Sequence, residues 1–357
     1  MTLRPVVIKL GGDALASPER IASEALRVAR LAAVGPVVAV VSARRGRTDQ
    51  LFELVTEVGS AARRLGGSSG GTESSREPTA SLLAAEADRA VASGEVVAAA
   101  LLALALNQLG VGAVSLDARE AGVKATGRAG HAVISRIDPR RIRRLLKQGV
   151  APVVTGFQGW RRGRVATLAR GGTDSSAVAL ADALKADRVI LVKDTDGLRT
   201  ADPRLVPDSR PIPRASHRFL TALTAAGARV VQLEAARLAE RLGVSLEFRS
   251  LALDAPLSVV TATAGPGRLR AVTSAGSDAG WTAITVVAED PADLTKLVEP
   301  CLEVLTVAGI GLLDRRQETE ALQLLVPAAD AAAALRLVHG VVLNGSDRCT
   351  GEVRRAS

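Results

Sequence analysis

Lys9 ends a β-branched run, Val6-Val7-Ile8, and Gly11 and Gly12 follow one residue later. Glycines at such a turn let backbone N–H groups come close to an anion, and an ammonium beside them supplies a mobile charge for phosphate oxygens. Lys-x-Gly-Gly is also an ordinary turn, and the pattern GxxxxGK[ST] is absent. A denser cluster lies in ATLARGGTDSSAVALADALKAD, residues 166–187, where Arg170 precedes Gly171-Gly172 and Thr173-Asp174-Ser175-Ser176 opens a long helical pattern. A cation, a glycine turn, hydroxyls and helix-terminal N–H groups in one place describe an anion-binding helix start. Helix capping alone explains the hydroxyls and Asp174 but leaves Arg-Gly-Gly without a reason. A third stretch, VKDTDGLRTADPRLVPD (192–208), carries Asp194 and Asp196, which can hold a metal or cap turns, and both readings stay open.

The elements that must position these groups follow from periodicity. PVVIKLGG (5–12) reads as a strand and a glycine turn, with a helical pattern from Pro18 through Leu31. GPVVAVVSA (35–43) is apolar almost throughout, as a strand covered on both faces should be, and a helix pattern follows from Asp49. Residues 66–78, GGSSGGTESSREP, have nothing to bury and read as a mobile surface loop. Ala80–Leu109 gives one or two Ala/Leu-rich helices interrupted at Ser93-Gly94-Glu95, before a strand at Gly112–Leu116. GVAPVVTGFQGW (149–160), a helix from about Asp174 to Ala186 and the apolar strand DRVILVKDTDG (187–197) follow. Such alternation predicts an α/β fold, a mainly parallel sheet sandwiched by helices, with its ligand site at the carboxyl ends of the strands. From about residue 253 the texture changes. AITVVAED (283–290), a helix over 293–308, GIGLLD, ALQLLVPAAD and a helix through His339 suggest a ferredoxin-like βαββαβ module. The expected domains are 1–252 and 253–357.

At 357 residues the chain is longer than one hydrophobic core usually spans. Its 47% hydrophobic and 23% charged residues are those of an ordinary globular chain, not a disordered one. Aromatics are 2%, with no Tyr, so base stacking on nucleic acid is not expected. The net charge of +9 favours anionic ligands, and the basic run Arg140, Arg141, Arg143, Arg144, Lys147 reads as a solvated helix face with Ile142, Leu145 and Leu146 turned inward. Two cysteines (Cys301, Cys349) and three scattered histidines (His131, His217, His339) make neither a disulfide framework nor a zinc site. With no signal-like N-terminal run and no apolar segment of membrane-spanning length, a cytoplasmic protein without membrane or nucleic-acid partners is expected.

Taken together, the motifs resemble the aspartate kinases of the amino-acid kinase superfamily. The matching pieces are VIKLGG, VVSARRGRTDQL, SGEVVAAALLALALNQLGVGA, VVTGFQGW, TLARGGTDSSAVALADALKAD, DTDGLRTADPRLVPDSR and AAGARVVQLEAARLAERLGVSLEFRS, in the family's order from Val6 to about Arg249. The resemblance implies the amino-acid kinase fold, with the tail resembling one copy of the ACT modules that sense amino acids. It implies ATP and Mg2+ as cofactors, Lys9 and Asp174 as catalytic residues, and Ser42, Ala43, Thr48, Glu95, Phe157, Arg170 and Thr173 around an acidic amino-acid substrate. Lys9, Gly11, Gly12, Asp13, Gly171, Gly172, Lys193, Asp194, Arg199, Arg204 and Arg229 would face the nucleotide. No metal ligand of the protein itself is implied, and an ACT-type tail implies an amino-acid effector and a homodimer. The chain departs from the family at several positions. Asp13-Ala14 replaces Thr-Ser, Lys193 replaces Thr, Arg199 stands where Tyr often lies, Arg229 replaces Lys, and Gln232-Leu233 replaces His-Pro. The implied activity is phosphorylation of aspartate or a close analogue on its side-chain carboxylate; the alternatives are a binding homologue without phosphoryl transfer and a kinase for an unusual acceptor.

Overall fold

The structure is a computed structural model that describes residues 4–66, 73–169, 171–195, 197–252, 256–264, 268–276 and 279–344. In chain order its elements are β1 (Val6–Leu10), α1 (Pro18–Val34), β2 (Val37–Val41), α2 (Arg47–Gly66), α3 (Glu73–Gln108), β3 (Ala113–Leu116), β4 (Val123–Arg128), β5 (His131–Ile137) and α4 (Arg140–Lys147). There follow β6 (Ala151–Thr155), β7 (Gln158–Arg161), β8 (Arg164–Thr167), α5 (Gly172–Leu184), β9 (Val189–Lys193), β10 (Arg214–Ser216), α6 (His217–Ala225), α7 (Leu233–Leu242) and β11 (Leu246–Ser250). The last are β12 (Pro256–Thr261), β13 (Arg270–Gly276), β14 (Trp281–Ala288), α8 (Pro291–Val307), β15 (Asp314–Gln317), β16 (Ala321–Pro327) and α9 (Ala331–Asn344). Contacts divide the chain into two compact units, Met1–Thr195 with Val244–Pro256, and Asp196–Gly243 with Leu257–Ser357. The sequence places a boundary at 252/253; by contacts, residues 197–243 group with the C-terminal part.

In the first unit six parallel strands run in the order β11-β9-β1-β2-β6-β3. β2 and β6 are buried at every residue, as their unbroken apolar runs predict for strands covered on both faces. The chain leaves β1 toward β2 and β6 on one side, while β9 and β11 lie on the other. The topological switch point therefore falls between β1 and β9, and a crevice for ligand is expected at their carboxyl ends. Helix α1 starts at Ser17, whose side chain accepts from the Arg20 N–H, with Pro18 in the first turn. Its buried Arg27 pairs with Glu24 at 2.9 Å and donates to the carbonyls of Ser250 and Leu251, tying the helix to the end of β11.

Three sequence expectations change here. Helix α3 is continuous through Ser93-Gly94-Glu95. Gly94 is a close-approach residue in it, since a Cβ there would lie 2.9 Å from Ala43 Cβ. Of the expected loop 66–78, residues 67–72 lie outside the described residues and Glu73 onward begins α3. The part of α3 from Ala80 to Gln108 has the length and hydropathy of a membrane-crossing helix, contrary to the expectation that no segment does. Yet Ala98, Ala99, Leu102 and Leu106 on this helix are fully buried in the core with Ile8, Leu10, Val37 and Val41. In the stretch 149–160, Gly156 and Phe157, the latter at φ 60°, separate β6 from β7, which belongs to a second sheet, β5-β4-β7-β8. The basic run forms α4 with Ile142 buried, Arg140 on Asp138 and Arg141 on Glu120, the solvated face expected.

The second unit contains an antiparallel sheet, β13-β14-β16-β15, with α8 and α9 packed on one face and α6 against β13 and β14. In a βαββαβ module the closing strand follows the second helix; in this sheet the position beside β14 is taken by β13, which comes before it. That strand, Arg270–Gly276, precedes AITVVAED in a stretch to which the sequence assigned no element. The core joins Val272, Ile284, Val286, Leu322, Leu324 and Val326 to Leu294, Leu297, Cys301, Leu335 and Val338, and it includes Ala201 and Val206. Those last two contacts explain why residues 197–243 group with the tail.

Candidate active site

At the switch point the carboxyl ends of β1 and β9 each present a lysine. Lys9 Nζ lies 2.9 Å from Asp174 Oδ1 and Lys193 Nζ lies 3.0 Å from Asp174 Oδ2, so a single buried carboxylate is held between two ammonium groups. The register Lys9↔Leu191 in the β1–β9 pair brings the two lysines to the same end of the sheet. Asp174 sits in the first turn of α5, which Gly171 enters in the left-handed conformation at φ 82°. Only a residue without Cβ adopts that turn readily. Burial alone would raise the Asp174 pKa, and the charges of Lys9 and Lys193 outweigh it, so the carboxyl lies well below its usual range. For Lys9 burial lowers the pKa, Asp174 pushes back, Lys193 lowers it further, and Asp13 raises it, with a net shift downward. The cluster as a whole is one positive charge in excess.

Next to it the ends of β2 and β6 supply a second set. The Ala43 N–H donates to Glu95 Oε1 at 2.9 Å, while Glu95 Oε2 is buried without a hydrogen-bond partner among the described residues. Desolvation pushes the Glu95 carboxyl up to about 7. The Gly156 N–H donates to the Val41 carbonyl, placing Gly156-Phe157 beside Ser42. A Cβ on Gly156 would lie 2.4 Å from Thr173 Cγ2, and one on Gly172 would lie 3.2 Å from Phe157 Cδ2, so these chains meet at van der Waals distance. Ser42, Ala43, Glu95, Phe157, Thr173, Asp174 and Lys9 are thus brought together, with Thr48 on the first turn of α2. Thr155 Oγ1, buried at the end of β6 and without a hydrogen-bond partner among the described residues, is a polar group of this region that the sequence reading missed.

The glycine turn adjoins both Lys9 and Ala43. A Cβ on Gly11 would come 3.3 Å from Lys9 Nζ, and one on Gly12 would come 3.0 Å from the Ala43 carbonyl oxygen. Asp13 pairs with Arg45, whose Nε is 2.8 Å from Asp13 Oδ1. Arg44 donates to the carbonyls of Leu15 and Ala16. Both arginines were outside the sequence-derived set; two consecutive cations in a loop facing a phosphate-type turn were the available signal. Asp194 is exposed just beyond β9, and Arg170 and Asp196 lie outside the described residues. Arg199, Arg204 and Arg229 belong to the second unit. There Arg199 donates to Ser209, Arg204 pairs with Asp202 at 2.7 Å, and Arg229 is exposed.

Among the described residues no three His, Cys, Asp or Glu side chains gather into a metal cluster, and both oxygens of Asp174 are engaged by lysines. The described donor set fits a divalent cation that is carried in on phosphate oxygens.

Residues 4–250 match the amino acid kinase family. The aspartokinase of Helicobacter pylori is 38% identical over 247 residues, covering 69% of this chain and 56% of that protein. That of Corynebacterium glutamicum is 33% identical over 299 residues, 82% of this chain and 66% of that one. The chain thus spans between about half and two thirds of the length of these curated relatives. Among solved structures, Escherichia coli aspartokinase III in complex with aspartate and ADP superposes with a TM-score of 0.76 at 19% identity, over 95% of this chain and 99% of that one, a likeness of fold. The chain belongs to the amino acid kinase family.

Proposed function

We propose that this member of the amino acid kinase family transfers the terminal phosphoryl group of ATP, with Mg2+, to the side-chain carboxylate of aspartate or a close acidic analogue, giving an acyl phosphate. The observation that carries the reading is the Lys9–Asp174–Lys193 cluster at the β1/β9 switch point, beside the unpartnered buried oxygen of Glu95. An acceptor carboxylate is already ionised at neutral pH, so no strong general base is required. The protein's task is to align the reactants and neutralise charge on the transferring group. Lys9, backed by Asp174, would contact the phosphoryl oxygens together with the N–H groups of Gly11 and Gly12. Lys193 would supply a second fixed charge. Magnesium would bridge phosphate oxygens and neutralise part of their charge. Glu95 would receive the substrate's α-ammonium group, Ser42, Ala43, Thr48, Phe157 and Thr173 would shape its pocket, and Arg170 would grip a carboxylate bidentately. Gly171, Gly172 and Asp194 complete the proposed nucleotide side within the first unit. A cytoplasmic homodimer with an amino-acid effector on the C-terminal module, residues 253–357, completes the reading.

One observation favours a second reading, an amino-acid-binding homologue that has lost phosphoryl transfer: Arg199 and Arg204 are already engaged with Ser209 and Asp202. Purified protein, ATP, Mg2+ and a panel of acidic amino acids in the presence of hydroxylamine separate the two. Acyl phosphates are trapped as hydroxamates. Hydroxamate with aspartate is the expected result; none with any acid, alongside retained amino-acid binding, establishes the second reading.

A further inference from the structure

The carboxylate at position 13 stands in a turn built to receive phosphates, where a negative charge opposes the ligand. Its partner resolves the contradiction. Arg45 Nε lies 2.8 Å from Asp13 Oδ1, and the Arg45 main-chain N–H donates to the Gly12 carbonyl at 3.1 Å. A Cβ on Gly12 would lie 3.2 Å from Arg45 N and 3.3 Å from its Cα, so this residue springs directly from the wall of the glycine turn. Lys9 Nζ flanks the same turn on its Gly11 side. Lys9 Nζ and the Arg45 main chain therefore flank Gly11-Gly12, with the Arg45 guanidinium held on the adjoining Asp13.

The two arginines of this loop differ in kind. Arg44 is half-buried and spends its guanidinium on two main-chain carbonyls, of Leu15 and Ala16, which fixes the β2–α2 loop against the turn. Among the described residues the Arg45 guanidinium, on a side chain 72% exposed, makes one contact, to a carboxylate 38% exposed whose Oδ1 is buried and has no hydrogen-bond partner. An ion pair with so exposed a cation and no hydrogen bond is weak and exchanges readily. A polyphosphate offers several charged oxygens in the fork geometry that guanidinium prefers, so it outcompetes a single carboxylate.

We propose that Arg45 is a phosphate-binding residue of this site, with Asp13 as the carboxylate that holds its guanidinium beside the glycine turn and yields it to the polyphosphate. The inference rests on the kinase reading and names a nucleotide contact that the family pattern does not supply. Position 13 is then half of an exchange pair. The Arg45 main-chain bond to Gly12 survives any side-chain change, so variants at 13 and 45 are expected to keep the fold.

Calorimetric titration with MgADP of the parent, Asp13→Asn, Arg45→Ala and the double variant tests it. Asp13→Asn is expected to tighten binding by about threefold or more, and Arg45→Ala to weaken it about tenfold, the weight of one charge-assisted contact. The decisive comparison is Arg45→Ala in the Asp13→Asn background. If Arg45 contacts phosphate, it still costs several-fold there; if it merely neutralises Asp13, it costs less than twofold and the proposal is overturned. Weaker MgADP binding by Asp13→Asn with metal-free ADP unaffected makes Asp13 a metal ligand and also overturns it. A parent that binds no MgADP instead removes the kinase reading itself.

Discussion

At the scale of single residues the site is a balance of charge around Asp174. Removing either lysine leaves the carboxylate with one partner, but the two losses differ, because Lys9 is closest to the glycine turn. Lys9→Met is expected to leave folding intact and lower turnover on the order of a hundredfold, since a charge aimed at the transferring group is gone. Lys193→Thr is expected to cost less, about tenfold, chiefly in turnover; hydroxamate kinetics on both variants check the order, and a larger loss for Lys193→Thr would exchange their roles. Glu95 makes a pH prediction. With its carboxyl pushed up to about 7 by burial, it is protonated below that pH and cannot pair with an ammonium group. The acceptor KM is therefore expected to fall as pH rises from about 6 to 8, and Glu95→Gln to raise KM and flatten that dependence. Lys9 and Asp174 each adjoin a local motif that drew attention to them, a strand-end glycine pair and an Arg-Gly-Gly, whereas Glu95 entered only through the family resemblance. The Asp13–Arg45 pair was not legible, since its members are thirty-two residues apart in sequence and only the packed turn joins them.

At the scale of elements, strands covered on both faces announced themselves and half-exposed ones did not. β1, β2, β6 and β9 are apolar runs, whereas β4 is buried at only two of its six residues and β5 at one of seven, so neither left a clean alternation to read. Helix α3 shows the opposite failure. Gly94 looks like a break, because glycine is a poor helix former, yet its meaning is tertiary: the helix passes so close to the β2–α2 loop that Ala43 occupies the space a side chain would take. Two substitutions separate propensity from packing. Gly59→Ala in α2, where a Cβ would meet nothing closer than Arg63 Nη1 at 3.8 Å, is expected to stabilise by about 0.5–1 kcal/mol. Gly94→Ala carries the same propensity gain but overpacks against Ala43, and a net loss of about 1–2 kcal/mol is expected. It is also expected to raise the acceptor KM, because Ala43 carries the N–H that orients Glu95. Thermal melts and acceptor titrations read the two effects; if both alanines stabilise, the close approach of α3 has no energetic weight.

At the scale of the whole molecule, the change of texture near residue 253 was legible but the ownership of residues 197–243 was not. Ala201 and Val206 join the core of the C-terminal sheet through contacts that no local pattern encodes. A chain cut near Leu253 would strip that core from them, so truncation is a poor probe of assembly. The sheet itself offers a better one. The edge strand β13 is partly covered, its Val272 N–H donating to the Thr200 carbonyl, while the other edge, β15, is exposed at all four residues, Asp314 to Gln317. An exposed edge invites pairing, and the charges on β15 restrict it to a partner that matches them. The proposed homodimer, formed through residues from about Ala283 to Val342, would then depend on this strand. Light scattering across a concentration series is expected to give a dimer for the parent. A double reversal, Arg315→Glu with Arg316→Glu, is expected to shift the dimer–monomer midpoint by about tenfold or more, since both side chains lie on the exposed edge and neither is needed for the core. A mass that ignores the reversal, with melting temperature unchanged, would place the interface elsewhere on the chain.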